Sequence, residues 1–95
     1  MIFMLVCHFH PQVEDQHRAA VQMEFNEHLM QMHPKVKLAG PLKDDNGQWI
    51  GHVIIVDARD VQEARHFAEN SPYHRAHLYK SFEAIRFDIV AGNLG

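Results

Sequence analysis

Glu27-His28-Leu29-Met30-Gln31-Met32-His33-Pro34-Lys35-Val36-Lys37-Leu38-Ala39-Gly40-Pro41 is the stretch from which the fold is read. A helical period enters it. Val21, Phe25, Leu29 and Met32 recur at spacings of four, four and three, the repeat of one buried helix face. Pro34 stops that helix, because the residue before a proline resists the helical region. The period then changes to two. Val36 and Leu38 point inward and Lys35 and Lys37 outward, until Gly40-Pro41 ends the strand. His28 lies seven residues after Val21 and three after Phe25, so the helical period puts an imidazole on the apolar stripe.

Upstream, residues 1–10 read as a strand. Ile2, Met4 and Val6 point one way, with His8 and His10 continuing that face; Phe3, Leu5, Cys7 and Phe9 point the other way. Both faces are apolar, which predicts a central strand covered on both sides. Pro11 ends it. The helix is predicted over 14–33, with Glu14 and Asp15 in its first turn, at the positive end of the helix dipole.

Downstream, the strand over 35–41 is followed by Asp44-Asp45-Asn46-Gly47, whose Asn-Gly pair signals a hairpin. The next strand is predicted over 48–58, with Ile50, Ile54 and Val56 on one face and Trp49, Val53 and Ile55 on the other. Asp60 is the expected N-cap of a second helix, with Glu63 in the capping-box place. Val61, Ala64, Phe67 and Ala68 form its inner face. Asn70-Ser71-Pro72 breaks it and starts a short helical turn. The last strand is expected over 79–90, with Ile85, Phe87 and Ile89 on one face, and 91–95 as a frayed tail.

The order is β-α-β-β-α-β, the ferredoxin-like pattern of an α+β domain with an antiparallel sheet, here one domain over 1–95. Two helices cover one face of such a sheet. The apolar residues of the other face then predict a homodimer, two sheets packed face to face in a barrel-like core.

Composition limits the function classes. The 95 residues carry a formal charge of -3 with no Lys/Arg stripe, which excludes nucleic acid as an expected partner. Cys7 is the single cysteine, so no internal disulfide forms, and a free thiol fits a reducing compartment. The opening apolar run is too short for a leader or a membrane span. The expectation is a cytoplasmic protein that does not enter membranes.

Nine histidines are the compositional oddity, and most read as surface residues. His28 is the candidate acid/base, since burial and neighbouring charge tune an imidazole near neutrality. His8 and His10 share a strand face, a possible metal half-site without a third ligand nearby in sequence; His28 and His52 are candidates only through space. No metal and no cofactor are expected. No nucleotide-binding glycine motif or serine-hydrolase elbow is present.

His28-Leu29, Ala39-Gly40-Pro41, Gly47 and Gly51, Glu63-Ala64 with Phe67-Ala68, and Pro72-Tyr73 form an ordered series over residues 1–89. That series resembles the YciI-like (YCII-related) family. The resemblance implies a dimeric α+β barrel, a small-molecule ligand, and a histidine at the place of His28 that lines a pocket and pairs with an acid. It also implies dehydrochlorinase or muconolactone-isomerase-like chemistry, proton transfer of lyase or isomerase type on a small oxygenated ring compound. The family's usual Asp before Pro-Tyr is Ser71 here, and its acid after the first strand is replaced by Cys7-His8-Phe9-His10-Pro11. Its arginine three before the histidine is Phe25, and its Ala-Gly-Leu is Ala76-His77-Leu78. The expected site is therefore His28 as catalyst, with His8, His10, Ser71 and Tyr73 binding substrate. The alternative is a non-catalytic ligand-binding or accessory module.

Overall fold

The computed structural model describes residues 1–94. Its elements are β1 (Ile2–Phe9), α1 (Asp15–Leu29), β2 (Lys35–Lys43), β3 (Trp49–Asp57), α2 (Val61–Glu69), α3 (Pro72–Arg75) and β4 (Tyr79–Arg86). The four strands form one antiparallel sheet in the order β2-β3-β1-β4, the ferredoxin-like arrangement.

β1 sits in the middle and behaves as its alternation dictates. Phe3, Leu5, Cys7 and Phe9 are buried, while Ile2, Met4, Val6 and His8 on the other face are half-buried. Phe25, Ile54, Val56, Ala64, Phe67, Ala68, Tyr73 and Tyr79 complete the core with the inward residues of β1. Asp60 caps α2 by accepting from the Glu63 N–H at 2.9 Å. The Glu63 carboxylate reaches one residue further back than a capping box, to the Arg59 N–H. Ser71 caps α3. In the β2–β3 turn, Asp44 Oδ1 accepts from the N–H groups of Asn46 and Gln48, and Gly47 takes a positive φ of 77°.

Several expectations give way to local geometry. α1 ends at Leu29, not 33, so Met32 leaves the buried stripe and is exposed. Glu14 is the N-cap rather than a first-turn residue, and its N–H donates to His17 Nδ1. A register shift between Val36 and Leu38 turns Leu38 to the open face, 58% exposed. A second shift, at Leu42/Lys43, places one extra residue on β3, so Trp49 joins the core side and Ile50 does not. β2 runs on to Lys43, and β4 stops at Arg86, four residues short of the expected end. Gly95, the end of the expected tail, lies outside the described residues. No helix among the described residues is long and apolar enough to cross a membrane.

Gly51 is required where β3 crosses β1. A Cβ there would collide with the Cys7 carbonyl, and the obstructing atoms are backbone. Gly51 thereby lets β3 press against β1 and delivers the next residue, His52, into the core.

Candidate functional site

His52 has the even parity of Ile54 and Val56, so the pleat turns it to the helix-covered face. It is 2% exposed and surrounded by rings. Phe25 from α1 stacks on it at 4.7 Å, and Phe9, Tyr73 and Tyr79 stand at 5.4, 5.2 and 5.2 Å. His52 Nε2 is 2.5 Å from the Tyr79 hydroxyl, which is 3.1 Å from Ser71 Oγ; Ser71 Oγ accepts from the Tyr73 N–H at 3.2 Å. The Tyr73 hydroxyl donates to Gln22 Oε1 at 2.5 Å. A polar chain thus runs through the aromatic core from β3 to α1.

That chain has a loose end. His52 Nδ1 is buried and has no hydrogen-bond partner among the described residues. Such a group costs roughly 1–3 kcal/mol. His52 also forms part of the wall of a cavity of about 150 Å³ between α1 and the sheet. Gln22, Phe25 and Leu29 line it from the helix, Ala39, Gly40, Pro41, Trp49 and Ile54 from the strands. The Ala-Gly-Pro end of the opening stretch is therefore cavity wall.

Burial fixes the protonation states. It lowers the His52 pKa to about 4, so the imidazole is neutral at neutral pH. It pushes the Cys7 thiol up to about 12, against a weaker bond to Tyr79. It raises the Tyr79 and Tyr73 phenols as well, with Arg18 pulling Tyr73 the other way.

His28 sits elsewhere. It is buried where α1 meets α2; its Nε2–H donates to the Phe67 carbonyl at 2.8 Å and its ring stacks on Phe67 at 4.1 Å. Nδ1 is then the acceptor for Gln31 Nε2 at 3.1 Å. Both nitrogens are occupied. Burial lowers its pKa, the Phe67 bond opposes this, and the Arg75 charge adds to the lowering. The acids Glu14 and Asp15 lie at the far end of α1, roughly 20 Å away at ~1.5 Å per residue.

The structure thus brings Ser71 and Tyr73 together with His52 and Tyr79, and separates them from the other expected site residues. His8 is on the opposite face of the sheet. His10 lies beyond β1, its N–H bonded to the Leu78 carbonyl, in a groove with His17 and His77. Among the described residues no three His, Cys, Asp or Glu side chains converge as a metal-binding group. The sequence names His52 only as a through-space metal candidate and not among the expected catalytic or substrate-binding residues. Its signal was a histidine in the inward row of an otherwise apolar strand.

The family model of the YCII-related domain matches residues 1–88. No functionally curated protein sequence matches the chain. Among solved structures, 5-chloro-2-hydroxyhydroquinone dehydrochlorinase (TftG) from Burkholderia phenoliruptrix AC1100, in complex with 2,5-dihydroxybenzoquinone, is similar at TM-score 0.79. It is 22% identical, over 93% of this chain and 94% of that one. A dimeric protein of unknown function and ferredoxin-like fold from Bacteroides fragilis NCTC 9343 is similar at TM-score 0.58 and 12% identity, over 93% and 94% of the two chains. At these identities the likeness establishes the fold.

Proposed function

The chain belongs to the YCII-related domain family, and on that premise we propose that it is a small homodimeric enzyme moving a proton on a small oxygenated ring compound, a lyase or isomerase. The carrying observation is that His52, which lines the cavity beneath α1, keeps a buried Nδ1 with no partner among the described residues. An apolar protein cavity of ~150 Å³ holds one benzene-sized ring, so the volume of about 150 Å³ has room for a monocyclic ligand. The likeness to the dehydrochlorinase supports the same class of ligand.

In this reading a ligand oxygen or ring proton meets His52 Nδ1 once the Phe25 ring shifts. The neutral imidazole has a lone pair to take a proton, and an ionised ligand oxygen raises its pKa toward the working range. Tyr79, bonded to Nε2, holds the ring and its tautomer, and Ser71 holds Tyr79. Ser71 and Tyr73 then act behind the contact residues. His28 joins α1 to α2 in this reading, in place of the catalytic role the sequence suggested.

Two copies pair through the open sheet face, where Leu38, Ile50 and Ile85 are exposed. The lone thiol of Cys7 fits the cytoplasm.

A second reading has one observation in its favour. Neither His28 nor His52 is bonded to a carboxylate, which suits a binding module without turnover. Solvent-deuterium incorporation into 2,5-dihydroxybenzoquinone, followed by NMR, separates the two. The enzyme reading predicts exchange accelerated by the wild-type protein and reduced to background by His52→Phe. Binding without exchange leaves the module.

A further inference from the structure

Trp49 lines both the cavity at His52 and a neighbouring, wider cleft of about 710 Å³. The Trp49 indole is fixed by donating to the Gly51 carbonyl at 2.5 Å. Over its outer side lies Arg18, with the guanidinium carbon 4.8 Å from the Trp49 ring centroid and 5.9 Å from that of Phe9. Arg18 is one helical turn before Gln22, which lines the inner cavity.

This guanidinium is poorly served for so enclosed a charge. Its side chain is 12% exposed, and its one acid partner among the described residues is Asp15, which is 98% exposed and joined through a single guanidinium nitrogen. A pair with so exposed a carboxylate contributes little and is readily replaced, whereas a charge withdrawn from water calls for close anionic compensation. The cleft also holds Lys43, and Glu14 beside Asp15.

We propose that Arg18, stacked on Trp49 at the cavity mouth, is the specificity residue of this site and selects monocyclic rings bearing an ionised oxygen, a carboxylate, phenolate or enolate. The ring occupies the inner cavity and its anionic group exchanges Asp15 for itself on the free guanidinium N–H groups. The inference rests on the cavity being the ligand site and adds the charge of the ligand.

Benzoate and benzamide, equal in shape and unequal in charge, test it. Each is titrated at pH 7 into the full chain, reading the Trp49 indole and Gly40 amide signals by NMR. Wild type is expected to prefer benzoate by roughly ten- to a hundredfold, the range of a charged hydrogen bond. Arg18→Met, which keeps the stem on Trp49, is expected to bring that ratio near one, with benzoate affinity falling far more than benzamide affinity, and Arg18→Lys to restore part of it. A preference that survives in Arg18→Met, or benzamide binding as well as benzoate to wild type, overturns the role of Arg18 and leaves the cavity reading standing. Failure of both compounds to move either signal overturns both.

Discussion

Replacing His52 by Phe is expected to stabilise the protein while abolishing its ligand binding. The magnitude follows from the two nitrogens. Removing the unpartnered Nδ1 recovers roughly 1–3 kcal/mol, and losing the Nε2 contact to Tyr79 forfeits about 0.5–1.5 kcal/mol. Phe is close to His in shape, and the adjoining cavity accommodates the difference. The net expectation at pH 7 is about −0.5 to 2.5 kcal/mol in favour of the variant, centred near ~1 kcal/mol, with each 1 kcal/mol worth about 4–8 °C in Tm at this chain length. Acid widens the gap. The folded-state pKa of about 4 lies below the ordinary imidazole value of 6.5, so the unfolded chain takes the proton first. Wild-type stability from this group is complete above ~6.5 and is lost as pH falls toward 4, at about 1.4 kcal/mol per pH unit, or ~2 kcal/mol at pH 5. His52→Phe lacks that loss. Urea melts at pH 7 and pH 5, at one fixed protomer concentration, measure both numbers. Destabilisation beyond about 2 kcal/mol at pH 7, or an unchanged gap at pH 5, would refute the claim that His52 is held at a stability cost for function.

Gly51→Ala is expected to destabilise by roughly 1–3 kcal/mol, because the added Cβ meets Cys7 and His8 backbone that no rotamer change can clear; thermal melts check it. Ile85→Lys places a charge on the open sheet face, where Ile85 pairs across from Met4. Sedimentation is expected to show a dimer for wild type and a folded monomer for the variant; a wild-type monomer at all concentrations ends the face-to-face assembly.

Much of the fold was legible because strand parity is a local property. The inward row of β1, Phe3-Leu5-Cys7-Phe9, is buried as its alternation requires, and the cap residues Asp60 and Ser71 do what their side chains favour. The errors cluster where the count is broken. One extra residue in β2 exposed Leu38, and one in β3 exchanged Trp49 for Ile50, and neither bulge is visible in a period-two pattern. Met32 was assigned to the stripe because the periodicity continues past the point where the helix stops. The site was harder to read. The helical period correctly put His28 on the apolar side, yet it carries no information about the Phe67 carbonyl that α2 brings to its Nε2. His52 became distinguishable only when four rings from four elements closed around it and one nitrogen was left without a partner.

The most direct test is a 15N imidazole spectrum of the nine histidines, recorded with and without 2,5-dihydroxybenzoquinone. The account predicts that the ligand moves the His52 ring resonances, with Nδ1 changing most, while His28 stays fixed. Ligand-induced shifts confined to His28, or to His10, His17 and His77, with His52 unmoved, would contradict it.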